Sequence, residues 1–402
     1  MKNFLIITIA FLMVLSLTGC NGSGKLQADH RDERGVFIMD KQYYIEEQRL
    51  TLEQKIGQLL FIEYRRSAMD DRLDSLLKDI QPGGFILFGE NFSTYEKTLK
   101  LVRSIRERVS IPMFIGCDEE GGRVQRTRSL KDDRYQVEEI TDMLSVGNSG
   151  DPQLALKTGE RLGEICRVFG INMDFAPVAD INVSAANTVI SSRSFGSDAE
   201  LVTRMASALA QGLLSRGVVP VYKHYPGHGS TTEDTHLSLA VNYRTMDQVE
   251  SFETIPFLKA IEEGVPAIMA GHIALADLHE KGDENYLMPA TLDRDAITGL
   301  LREKYGFQGL VITDSLQMKG LKNSRYSSDG DIAQAALEAG CDMLLCPRDA
   351  RKLFGELLSR AQSGQLSMDI VDMAVTRILK YKHLYIYEGY DEYFDPQLLS
   401  GQ

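Results

Sequence analysis

The densest run of reactive side chains reads Lys223-His224-Tyr225-Pro226-Gly227-His228-Gly229-Ser230-Thr231-Thr232-Glu233-Asp234-Thr235-His236, and it holds three of the seven histidines. Pro226, Gly227 and Gly229 oppose a helix, so a loop with fixed kinks is expected. His224 and His228 have the spacing of helical metal ligands, but no helix is available to use it, and no metal site is expected. Asp234 and His236 stand two apart. The carboxylate can accept a proton from one ring nitrogen and leave the other for proton transfer, although a surface pair would look the same. A second signal is Gly309-Leu310-Val311-Ile312-Thr313-Asp314-Ser315, where an apolar strand delivers one carboxylate to its tip. Asp314 there can be a nucleophile, a metal ligand or the N-cap of the next helix. A third is Asp118-Glu119-Glu120-Gly121-Gly122-Arg123-Val124-Gln125-Arg126. Asp118 and Arg126 can clamp a hydroxylated substrate, or simply brace a turn. Arg193, in Asn187–Gly196, is a further candidate contact.

Something must bring these distant segments together. Eight short apolar runs recur, at Gln58–Glu63, Gly84–Phe88, Pro112–Cys117, Ile171–Phe175, Val218–Lys223, Ala267–Ala270, Gly309–Thr313 and Asp342–Cys346. Between them lie helix-like stretches such as Ser93–Val109, Pro152–Phe169, Leu201–Arg216, Gln248–Glu263 and Asp331–Ala339. Runs of this kind are expected of strands buried on both faces in a parallel sheet with crossover helices. Eight of them predict an α/β fold, a single-domain (β/α)8 TIM-type barrel that need not be regular. An open doubly wound sheet has the same local pattern. Barrels build sites at the C-terminal ends of their strands. Polar residues follow nearly every run here: Glu90-Asn91, Asp118-Glu119-Glu120, Asp174, Lys223-His224, Gly271-His272 and Asp314. No linker divides the middle of the chain, so residues 45–390 are expected to form one domain, with 391–402 as a tail.

The 402 residues are 43% hydrophobic and 25% charged, an ordinary globular balance. With 44 basic against 57 acidic side chains the net charge is −13. That disfavours a nucleic-acid partner. Met1-Lys2 precedes an apolar run from Phe4 to Leu17, which is short for a bilayer span. Residues 1–19 therefore read as a secretory signal peptide. Leu17-Thr18-Gly19-Cys20 resembles a bacterial lipobox, which implies lipidation of Cys20, a tether over 20–44 and a membrane link only through the lipid. The expected location is the exported side of the cell envelope. Cys117, Cys166, Cys341 and Cys346 sit in apolar or helical contexts without zinc-like spacing, and are expected to be buried free thiols.

Taken in order, the four chemical segments resemble glycoside hydrolase family 3, in its β-N-acetylglucosaminidase (β-N-acetylhexosaminidase) branch, over roughly residues 48–385. The most diagnostic block is Lys223-His224-x-Pro-Gly-His-Gly followed by Asp234-Thr235-His236. The resemblance implies a barrel. It also implies Asp314 as nucleophile, His236 as acid/base, Asp234 as its orienting partner, and Asp118, Arg126, Arg193, Lys223 and His224 as sugar contacts. The implied reaction is retaining removal of terminal β-linked N-acetylglucosamine from cell-wall muropeptides or related oligosaccharides, through a covalent glycosyl-enzyme and without metal or cofactor. Two departures are visible. Thr313-Asp314-Ser315-Leu316 stands where the family often has Ser-Asp-Asp-Leu, and Ser191-Ser192 precede Arg193 where Gly-Asp is common. Neither removes a group assigned to chemistry. Phosphorolysis, a sugar-binding lipoprotein without catalysis, and a metal-dependent barrel hydrolase are the rival readings. The oligomeric state is not legible.

Overall fold

The computed structural model describes residues 49–387, apart from 185, 232–234, 236–237, 322–325 and 327. Eight segments form parallel strands: β1 (Leu60–Glu63), β2 (Gly84–Leu87), β3 (Phe114–Cys117), β4 (Met173–Asp174), β5 (Val219–Tyr225), β6 (Ala267–Ala270), β7 (Leu310–Thr313) and β8 (Leu344–Leu345). Each falls on one of the eight apolar runs. They pair in sequence order from β1 to β7, and β8 pairs with β1 through Leu60 opposite Leu344. The last gap is closed by an Ile312–Met343 bridge. Thr313 N donates to Met343 O, and the Thr313 hydroxyl oxygen accepts from Leu345 N at 3.0 Å. The sheet is thus a nearly closed barrel rather than an open one.

Register follows from side chains that must fill the interior. Phe61 on β1 meets Phe175 edge-on, with ring centroids 5.4 Å apart. A Cβ on Gly84 would lie 2.5 Å from the Phe61 ring, and one on Gly116 would lie 2.8 Å from it. Only glycine at both sites lets this ring occupy the barrel axis.

Helices cover the outside: α1 (Leu52–Gln58), α2 (Asp71–Ile80), α3 (Tyr95–Glu107), α4 (Met143–Asn148), α5 (Pro152–Val168) and α6 (Ala199–Ser215). Then come α7 (Met246–Glu250), α8 (Ile255–Glu262), α9 (Asp329–Ala339), α10 (Ala350–Gln362) and α11 (Met368–Lys382). Their starts are set by side-chain caps. Asp70, Asp151, Asp198 and Ser328 each accept a backbone N–H from the first turn. The stretch expected as one helix over Gln248–Glu263 is two, α7 and α8. Pro256 belongs to the first turn of α8, where its missing N–H costs nothing, and it could not sit deeper in a continuous helix. Between β6 and β7 the longer helical element is a π-helix, Asp295–Lys304, preceded by a short 3-10 turn at Ala290–Leu292. Asp342, fully buried before β8, binds Arg302 of that π-helix and Arg377 of α11, each at 2.7 Å. Its Oδ2 also accepts from Val311 N. One carboxylate therefore ties two outer helices to the closing strands. Cys117, Cys166, Cys341 and Cys346 are all buried and free, as expected.

Candidate functional site

The C-terminal ends of β3, β4, β5 and β7 converge on one polar cluster. β3 ends at Cys117, and the chain runs directly into Asp118, Glu119 and Glu120. β5 reaches further than its neighbours and places Lys223 and His224 on the strand itself. Its partner is the chain beyond β4. Lys223 N donates to Pro177 O, and Ala179 N donates to Lys223 O. This pairing carries the apolar run Phe175–Ala179 up to Asp180 at the barrel mouth.

Lys223 is the centre. Its ammonium lies 2.8 Å from Asp118 Oδ1 and 2.6 Å from Glu120 Oε1. Glu120 also receives both arms of Arg193, at 2.7 and 2.8 Å. Asp118 Oδ2 lies 3.4 Å from Arg126 Nη2. Four residues expected to touch sugar, Asp118, Arg126, Arg193 and Lys223, are therefore one network joined by Glu120. The side chains of Lys223 and Glu120 are each only 2% exposed. Burial works to raise the Glu120 carboxyl, but Arg193 and Lys223 outweigh it and hold it well below the usual range. Burial likewise opposes ionisation of Asp118, and Lys223 and Arg126 reverse that. Burial also disfavours the Lys223 ammonium, yet Asp118 and Glu120 keep it more firmly protonated than a free lysine.

His224 is set by a second buried acid. Its Nδ1 lies 2.7 Å from Asp180 Oδ2, and its backbone N–H donates to Asp180 Oδ1 at 3.2 Å. Asp180 Oδ1 also accepts from His228 N at 2.6 Å. Burial would raise the fully buried Asp180 carboxyl, but His224 and His228 bring it below its ordinary value. This carboxylate turns the His224 ring so that Nε2 is left for another partner. His228 is a tether rather than a ligand. Its Nδ1 meets the Thr231 hydroxyl at 2.8 Å, and its Nε2 meets the Thr235 hydroxyl at 3.4 Å. Burial holds its ring below the usual histidine value. Gly229 fits against this loop because a Cβ there would lie 1.9 Å from Ile181 O.

Asp314 stands at the tip of β7, partly buried, and its N–H donates to Ala270 O of β6. Its Oδ1 accepts from Ser315 N at 2.7 Å. It does not cap a helix: the next α-helix, α9, begins at Asp329 under Ser328. The Asp314 charge is among those that act to raise the His228 ring, against the larger effect of burial. Thr235 O accepts from Gly320 N at 3.0 Å, so Thr235 is fastened to the loop after Asp314. Asp234 and His236 themselves, like Cys20, lie outside the described residues.

Glu120 and Asp180 are the two residues that motif reading did not single out. Glu120 was visible only as part of an acidic triplet. Asp180 had a signal in the continuation of the β4 run to Ala179. Elsewhere, donor atoms of His279, Asp293 and Asp295 lie within 4.8 Å of one another. His279 Nε2 is 2.7 Å from Asp293 Oδ2, and Asp293 Oδ1 accepts from Asp295 N at 2.9 Å. These contacts pin the loop after β6 to the start of the π-helix.

A model of the glycosyl hydrolase family 3 N terminal domain matches residues 51–381. Among curated relatives, a beta-hexosaminidase of Bordetella parapertussis is 36% identical over 290 residues, 70% of this chain and 76% of the relative. Beta-hexosaminidase A of Pseudoalteromonas piscicida is 29% identical over 372 residues. That match covers 83% of this chain but only 61% of the relative's length. Among solved structures, a glycoside hydrolase family 3 beta-N-acetylglucosaminidase from Paenibacillus sp. str. FPU-7 superimposes with a TM-score of 0.78 at 31% identity. It covers 87% of this chain and 67% of that one.

Proposed function

Because the chain belongs to glycoside hydrolase family 3, we propose that it is a retaining exo-β-N-acetylhexosaminidase that removes terminal β-linked N-acetylglucosamine. One observation carries this reading. A buried network of Asp118, Glu120, Arg126, Arg193 and Lys223, with His224 beside it, opens at the same barrel mouth as the single β7 carboxylate, Asp314. The network offers N–H donors and carboxylate acceptors in fixed places, which suits the hydroxyls of a sugar ring.

In this mechanism Asp314 attacks the anomeric carbon through an oxocarbenium-like transition state, and His236 protonates the departing oxygen. The glycosyl ester on Asp314 is then attacked by water, from which His236 takes a proton. Asp234 orients the imidazole and stabilises its protonated form. The ordinary histidine pKa of about 6.5 suits both duties near neutrality. Thr235, between Asp234 and His236, is bonded to Gly320 in the loop after Asp314, which supports bringing the two halves of the chemistry together. Muropeptide or related oligosaccharides are the proposed substrates, and a Cys20-anchored envelope protein the proposed form.

The test is to incubate the protein with a slow fluorinated N-acetylglucosaminide and map the labelled peptide by mass spectrometry. The expected label is on Asp314. A label on any other residue rejects the mechanism.

A further inference from the structure

Beneath the cradle lie two acids that this reaction does not use. Glu119 and Asp174 are both fully buried. Asp118 and Glu120 reach towards the cations, while Glu119, between them, accepts from the Thr127 hydroxyl and from Thr127 N at 3.2 Å. Cys117 Sγ lies 3.9 Å from the same carboxyl. The Glu119 N–H donates to Asp174 Oδ1 at 2.9 Å. Asp174 Oδ2 is buried and has no hydrogen-bond partner among the described residues. The titratable groups around the pair are Cys117 and Asp118 at the end of β3, Arg126 beyond the hairpin, Cys166 of α5 and Lys223 of β5. The two cations in that set are already engaged, Lys223 by Asp118 and Glu120, Arg126 by Asp118. Among the described residues neither Glu119 nor Asp174 forms an ion pair of its own. Thr127, the Gln125 amide and the Arg126 N–H favour ionised Glu119, but burial without a cation outweighs them, and Asp174, with no donor to Oδ2, is costlier still as a carboxylate.

We propose that Glu119 and Asp174 are a pair of neutral buried acids whose backbone-to-carboxyl hydrogen bond fixes the spacing of Asp118 and Glu120, making them positioning residues for the sugar cradle. The proposal rests on reading that cradle as the sugar site. Burial pushes Glu119 up to about 7 and moves Asp174 well above the ordinary carboxylate range. Both acids keep their protons to higher pH than the unfolded chain does. Their contribution is therefore full at acid pH and is lost as pH rises through the folded-state value, near 7 for Glu119. Once ionised, either acid repels Asp118 and competes for Lys223, and the cradle loosens.

The full chain is examined as wild type, Glu119→Gln and Asp174→Asn. Infrared difference spectra at about pH 6 report protonated carboxyl C=O stretches, and calorimetric titration with N-acetylglucosamine reports affinity from about pH 6 to 9. Each substitution is expected to remove a protonated-carboxyl band. Wild-type affinity is expected to fall by about tenfold per pH unit above about pH 7, while Glu119→Gln, a permanent mimic of the neutral acid, stays level further into the alkaline range. Absence of such a band in wild type, or identical pH profiles for wild type and Glu119→Gln, overturns the proposal. If the variants do not fold, loss of the wild-type band between about pH 6 and 9 decides it, and a band that is absent or unchanged overturns it. Failure of wild type to bind N-acetylglucosamine at any pH defeats the sugar-site reading instead, and the infrared signal still tests the pair.

Discussion

Replacing Glu120 with glutamine isolates the electrostatic part of the cradle, because the side chain keeps its shape and loses only its charge. Glu120 binds Arg193 through two contacts and Lys223 through a third, all at 2.8 Å or less, and it is almost wholly buried. The amide retains one acceptor oxygen, but its NH2 is turned towards a cation's own donors. Removing one partner of a buried ion pair costs about 3–5 kcal/mol, because the remaining charge is left uncompensated. Asp118 still faces Lys223, whereas Arg193 pairs with no second carboxylate among the described residues, so the loss should concentrate on Arg193. Urea unfolding at about pH 7 is expected to show a deficit of that size. The sign with pH follows from the depressed Glu120 carboxyl. Its stabilisation is complete above the unfolded glutamate value of about 4.3 and shrinks as pH falls towards the folded value. The gap between wild type and variant should therefore narrow at about pH 3.5. A deficit below about 1 kcal/mol at neutral pH, or one that does not change on acidification, refutes the argument.

Asp180→Asn replaces a charge-assisted bond to His224 with a neutral one and presents an N–H to a ring nitrogen that now faces an acceptor. Losing about 1.5–3 kcal/mol at this contact corresponds to about 10- to 150-fold in kcat/KM on 4-nitrophenyl N-acetyl-β-glucosaminide. Nitrogen NMR should show the His224 tautomer changed, and activity within about threefold of wild type would separate His224 orientation from turnover. For the proposed anchor, cells fed an alkyne fatty acid should label the wild-type chain and not Cys20→Ala; equal labelling of both removes Cys20 as the lipid site.

The barrel was legible because strands buried on both faces leave continuous apolar runs, and all eight runs became strands. Boundaries were less so. The Ile171–Phe175 run contains only a two-residue strand by hydrogen bonding, yet the chain continues alongside β5 to Ala179. The break between α7 and α8 was signalled by Pro256, which the amphipathic pattern concealed. Asp118, Arg126, Arg193 and Lys223 were identifiable through motif resemblance, and the structure joins them. What holds them together was not identifiable. Glu120 meets Arg193 across 73 positions of sequence, and Asp180 meets His224 across 44. Local spacing contains no trace of such pairings, because they arise only when adjacent barrel strands bring their tips together.

That convergence also limits what the mouth can bind. Arg126, Arg193 and Lys223 carry three positive charges, and Asp118 and Glu120 meet all three within 3.4 Å. Asp180, beside His224, supplies a third negative charge nearby. With Glu119 and Asp174 neutral, the charges of these six groups cancel, and each of the three cations already faces a carboxylate. An uncharged ring with many hydroxyls is a better match: it can accept from the guanidinium and ammonium N–H groups, donate to the carboxylates, and leave each internal pair intact. The acyl amide and hydroxyls of N-acetylglucosamine meet that requirement. The anionic parts of a cell-wall fragment would then have to lie on the leaving-group side, outside the buried network.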